Sequence, residues 1–174
     1  FIYSCPAVGG APANNCATSA SILAVPSTTA FNNTTATTDG PNDTVNLCAS
    51  NTALDIWYWT KAPADGQLDV SLCASPATLD TVLSIYGPYD TADAGDGSGL
   101  PTKYIGCTDD TCLDGGGAVI VGGPSALSLI DAAANKWYLL RVGSWYDADP
   151  NTAVGGAGSI DVSFQTVIFS TGAQ

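Results

Sequence analysis

The sequence predicts an all-β fold, a disulfide-stapled β-sandwich of jelly-roll type with little or no helix. Three observations predict it. All sixteen acidic residues are aspartate, which favours turns and caps where glutamate favours helix surfaces. Nineteen glycines and ten prolines punctuate the chain. Between them, short apolar runs with period-two character recur at spacings of about ten residues, as strands of a sandwich do.

Strands are expected near residues 20–25, 54–61, 67–73, 81–87, 102–107, 117–121, 126–130, 136–143 and 158–169. The run "FNNTTATTDGPNDT" reads as an exposed loop, and N-x-Ser/Thr sequons open at Asn32, Asn33 and Asn42. In "LDIWYWTKA", Trp57 and Trp59 share one strand face and Tyr58 takes the other. "YDTADAGDGSG" (89–99) is a long loop, and "IDAAANK" (130–136) has the length of a single helical turn. In the last strand Ile160, Val162 and Phe164 alternate on one face. The parity then changes, with Val167 and Phe169 on the other set and Ile168 apolar between them, so residues 166–170 follow a bulge or pair with something different. No interdomain linker is visible. We expect one domain over 1–174, with a core at 14–165 and extensions at 1–13 and 166–174.

One stretch is written twice. "LCASNTALD" (47–55) and "LCASPATLD" (72–80) each place a cysteine after leucine and an aspartate at a strand entrance. Two copies are too few for a solenoid. The expected reading is one corner used twice, with the aspartate bonding nearby backbone N–H groups.

With "NCATSA", "TTATTDGP", Cys48, "DIWYWTKAPADGQLDVSLC", "LDTVLSIYG", "CTDDTC" and "WYLLRVGSW" in this order, the chain resembles pre-peptidase C-terminal-like domains, over about residues 14–165. The resemblance implies a compact β-sandwich with a jelly-roll-like core. Such domains occur on secreted bacterial proteins, usually beside catalytic or adhesive domains, and are not themselves catalytic.

Composition excludes several functions. The net charge is −12 with four basic residues, which repels nucleic acid and anionic membranes. Without histidine there is no Ser-His-Asp triad and no His-ligated zinc. No apolar run is long enough to span a bilayer, so membrane insertion is not expected. The chain has no methionine and is read as a secreted form from which a signal peptide was removed. Its six cysteines, Cys5, Cys16, Cys48, Cys73, Cys107 and Cys112, fit an oxidising compartment. Cys107 and Cys112 are expected to pair, being close in sequence.

The candidate sites are acidic or aromatic. Asp109 and Asp110 inside "CTDDTC" are candidate calcium ligands, because Ca²⁺ takes hard oxygens; the plainer reading is a stapled, solvated turn. Asp147, Asp149 and Asn151 alternate as at the start of a calcium loop, but the glycine and bidentate glutamate of an EF-hand are missing. Nothing marks a pair of aspartates as acid and base, so no enzyme is expected. Trp145 and Tyr146, at a strand end, offer a stacking surface for a sugar or pack at the rim. Apolar Phe1, Ile2 and Tyr3 at one end and Val167, Ile168 and Phe169 at the other would be hazardous as free edges.

Two functions follow as expectations. The first is a secreted structural subunit of a filament or surface layer, associating with copies of itself by β-strand addition of a terminal segment. The second is a free-standing carbohydrate- or cell-surface-binding module. No cofactor is required by either, and calcium is the one the residues leave open.

Overall fold

Runs of β-branched and aromatic residues between turn residues form nine strands among the described residues: β1 (Ser21–Leu23), β2 (Ser27–Asn32), β3 (Thr52–Lys61), β4 (Gly66–Ser71), β5 (Thr81–Tyr89), β6 (Tyr104–Asp109), β7 (Ala126–Ala132), β8 (Trp137–Trp145) and β9 (Ala157–Thr166). The computed structural model describes residues 9–41 and 51–166. One four-residue helix, α1 (Leu100–Lys103), begins at a proline-containing first turn.

The strands make a sandwich. Five lie in the order β1-β3-β8-β5-β6 and four in the order β2-β9-β4-β7. All pairs are antiparallel except β1 with β3. The chain crosses between sheets at residues 24–26, joining edge strand β1 to edge strand β2. The Cys73–Cys112 disulfide links the loop after β4 to the loop after β6, and so ties the two sheets.

The five-stranded sheet is covered on both faces. Ile56, Tyr58, Leu83, Ile85, Leu140 and Val142 turn inward to Leu68, Val70, Ile160 and Val162 of the other sheet. Trp57, Trp59, Tyr86 and Leu139 turn outward and are buried under Leu100 and the 89–99 loop. The expected division of Trp57 and Trp59 from Tyr58 therefore holds. Burial on both faces explains why β3 and β8 read as continuous rather than alternating apolar runs.

Three expectations are corrected. Residues 27–32 form β2, whereas 27–30 fall outside the expected strands and 31–32 open the expected exposed loop: Phe31 is its one buried side chain, so alternation is too weak to see in sequence. Residues 117–121 form no strand; a single bridge joins Leu113 to Val119 while Asp114 accepts from Gly116 and Ala118 N–H groups to hold the turn. Instead of a helical turn at 130–136, β7 runs on to Ala132 and Asn135 turns with a positive φ of 61°.

Candidate functional site

Strands β5, β6 and β8 reach one common end of the five-stranded sheet. Asp80 immediately precedes β5, and its carbonyl accepts the Trp145 N–H at 3.2 Å. Asp109 is the last residue of β6, opposite Val82. Asp110 follows in the left-handed region, φ 51°, and its Oδ1 accepts the Gly123 N–H at 2.9 Å. Strand pairing thus gathers two sequence-distant segments, and one carboxylate oxygen of each of Asp80, Asp109 and Asp110 lies within 4.8 Å of the others.

All three acids are half-buried, and among the described residues no cation is paired with them. Burial, then Asp110 and Asp80, pushes the Asp109 carboxyl up to about 6. Asp80 is raised by burial and then by Asp110. Asp109 Oδ1 is buried and makes no hydrogen bond. Several close carboxylate oxygens that resist sharing negative charge suit a hard cation such as Ca²⁺ better than a soft one. Asp109 and Asp110 were legible as ligand candidates. Asp80 was missed, although its signal was present: it is the aspartate closing the second "LCAS" copy.

The first copy ends differently. Asp55 is buried against Arg141 and accepts the N–H groups of Asp39 and Gly40, 16 and 15 residues earlier, rather than those of its own corner, so one corner used twice is not what forms. The two copies share a sequence and a strand-entrance position, but the second aspartate faces carboxylates where the first faces a guanidinium.

An open cleft of about 430 Å³ adjoins the acidic cluster and shares Asp80 with it; Gly122, which lies against Asp80, lines it too. Trp145, Tyr146 and Asp147 form another part of its wall, with Thr152 and Val154. Trp145 and Tyr146, both half-buried, are therefore brought beside the acids. Asp149 and Asn151 are not: Asp149 Oδ1 accepts from the Asn151 N–H and side-chain amide, capping the turn at Pro150–Thr152. The alternating aspartates of 147–151 are a capped turn, because the short carboxylate satisfies its own backbone first.

The expected Cys107–Cys112 pair is overturned, since Cys112 bonds Cys73. Cys107 lies inside β6, opposite Ser84, and the strand continues extended to Asp109. At about 3.3 Å per residue, an extended chain carries Cys112 away from Cys107 rather than back to it. Cys107 and Cys16 are also disulfide-bonded; Cys5 and Cys48 lie outside the described residues. Asn33 is a second correction. It is fully buried, donates to the Leu54 carbonyl and Ser144 Oγ, and accepts the Gly156 N–H, so its amide is not open to a glycan. Asn32 is exposed at the end of β2. Asn42 and the terminal residues Phe1, Ile2, Tyr3, Val167, Ile168 and Phe169 lie outside the described residues.

No family model matches the sequence, and no curated protein matches it. Among solved structures the chain is similar to CorA, a surface-associated copper-binding protein of Methylomicrobium album BG8, at 14% identity over 84% of this chain and 100% of that one, TM-score 0.47. It is similar to the periplasmic g-type lysozyme inhibitor PliG of Aeromonas hydrophila, at 16% identity over 83% and 98%, TM-score 0.38. The pre-peptidase C-terminal domain of a Bacillus anthracis collagenase, from the family that the ordered motifs resemble, matches at 10% identity over 84% of this chain and 94% of that one, TM-score 0.39.

Proposed function

We propose that the protein is a non-catalytic, secreted structural subunit of an extracellular filament or surface assembly, whose copies associate by β-strand addition of a terminal segment. The observation that carries this reading is an open strand edge. β9 pairs with β4 as far as Thr166, but on its other side β2 stops at Ser27, opposite Val162. Among the described residues, 163–166 have no partner strand on that side, which is the geometry that β-strand addition uses. A glycan at exposed Asn32 and a surface of net charge −12 would keep lateral contacts apart while such end-to-end contacts form.

Electron microscopy and sedimentation of the native protein test the reading. Regular fibres, lost on deletion of residues 1–8 or of 167–174 from an otherwise folded chain, support it. A protein that stays monomeric at high concentration sinks it.

A second reading has its own support in the cleft. Asp80 belongs both to the acidic cluster and to the wall that carries Trp145 and Tyr146, so a calcium ion there would sit beside a stacking surface. On this reading the protein is a carbohydrate- or cell-surface-binding module. Calcium-dependent retention on a glycan array, lost in Trp145→Ala, would favour it; no retention with or without calcium removes it.

A further inference from the structure

The geometry points to an internal hydration site beside the Asp55–Arg141 ion pair, where one or two waters join Arg141 Nε, Asp55 Oδ1, Ser84 Oγ and the Tyr86 hydroxyl. The site is independent of the assembly and binding readings above. It starts from polar atoms without partners. Each of the four is buried and makes no hydrogen bond to any described residue. The residues that carry them are at most 1% exposed. A native fold rarely leaves even one such atom unsatisfied, and four on one face call for a shared partner.

Strand register gathers these atoms. Ser84 lies directly opposite Arg141 in the β5–β8 ladder, so both side chains stand on the outer face of the five-stranded sheet. Tyr86, two residues on, shares that face with Trp57, its ring 5.9 Å from the Trp57 ring. Burial pushes the Tyr86 hydroxyl up to about 12, with Arg141 lowering it and Asp55 raising it, so it stands within the field of both charges. Asp55 reaches the same place from β3, because its Oδ2 accepts from Arg141 Nη2 at 2.9 Å. The ion pair is one-armed. Oδ2 also accepts the Asp39 and Gly40 N–H groups, while Nη1 and Nη2 donate to the Pro41 and Thr52 carbonyls. Nε and Oδ1 are the ends left over. Standard bond lengths keep them no more than about 7.5 Å apart. One or two waters bridge such a gap at about 2.8 Å per hydrogen bond.

The donor and acceptor types select the occupant. Arg141 Nε only donates, and the Asp55 carboxylate oxygen only accepts. An anion would satisfy Nε but face the carboxylate. A cation would satisfy Oδ1 but face the guanidinium. Water accepts from the one and donates to the other, and the Ser84 and Tyr86 hydroxyls can take either role toward it. An internal water makes about three hydrogen bonds, and the four atoms supply them.

High-resolution crystallography of the full chain, and urea unfolding of Ser84→Ala and Tyr86→Phe, test this. We expect water density within hydrogen-bond reach of Arg141 Nε, continuing directly or through a second water to Asp55 Oδ1. Each variant should raise the unfolding equilibrium constant about threefold to tenfold, because the held water loses a partner. Without water, each hydroxyl is an unsatisfied buried group whose removal lowers that constant, so the sign of the change separates the two cases. The inference is overturned by a structure with no water at Nε, by a group of residues 42–50 bonded there in its place, or by a fall in the constant for either variant.

Discussion

Asp55 and Arg141 form an ion pair sealed between β3 and β8, with Nη2 donating to Oδ2 at 2.9 Å and side-chain exposures of 0% and 1%. Two devices make room for it. Leu54, at φ 56°, opens a bulge between Ala53 and Ile56 that aims Asp55 at the guanidinium. Gly40 lies so close over Arg141 that a Cβ would sit 2.3 Å from Cζ. Arg141 also donates to the Pro41 and Thr52 carbonyls and lies 5.7 Å over the Trp57 ring. The pair therefore clamps the 37–41 segment to the sheet.

Removing either partner leaves a buried charge without its mate. Arg141→Met and Asp55→Asn should each cost about 3–5 kcal/mol in urea unfolding. The double variant should cost clearly less than the sum, because no lone charge remains. Additive losses would show that the two residues act separately.

Replacing Cys73 and Cys112 by serine together should lower stability by about 2–4 kcal/mol, since the bridge closes a loop between residues 39 apart and ties the sheets. Peptide mapping of the unreduced wild-type chain should recover Cys73 joined to Cys112. Recovery of Cys107 joined to Cys112 would refute the assignment.

The acidic cluster predicts stabilisation by calcium. Asp80, Asp109 and Asp110 present close carboxylates that repel one another when empty, so a bound cation removes that repulsion as well as binding. The melting temperature should rise with free calcium, as ligand linkage requires. Asp109→Asn should lose most of the rise while raising the melting temperature in chelator. An equal rise in wild type and variant would place the calcium elsewhere.

The same groups set a pH dependence. Asp109, and Asp39 through burial and then Asp55, hold protons to about 6 in the folded chain, against the model-peptide value of 3.8. Between about 4 and 6 the folded state therefore binds more protons than the unfolded one, and stability rises as pH falls through that window. Below it the sign reverses for Asp69, where burial is outweighed by hydrogen bonds from Ser128, Gln67 and Gln165 that favour the carboxylate. Melting in chelator at pH 7 and pH 5 should show the higher transition at pH 5. Saturating calcium should reduce that difference by occupying the Asp109 site.

Glycopeptide mass spectrometry of native material should find any sugar of the paired sequons on Asn32 and none on Asn33. The Asn33 amide is buried in hydrogen bonds to Leu54, Ser144 and Gly156. Asn33→Ala should destabilise by about 1–3 kcal/mol by leaving those groups without partners. Glycan on Asn33 in a folded chain would contradict its burial.

By itself the sequence determined the class of fold, most strand positions and the two-faced character of β3, because those follow from a side-chain period of two that is written locally. It marked Asp109, Asp110, Trp145 and Tyr146 as residues to watch. It missed β2, where a single buried Phe31 gives no period. Only the tertiary structure decided which residues meet. Cys112 bonds Cys73 rather than nearby Cys107, Asp80 joins Asp109 and Asp110, and Asp55 finds Arg141 across 86 positions of chain. Strand order and register fix those meetings. They arise from burying both faces of one sheet at once, which no local stretch of sequence encodes.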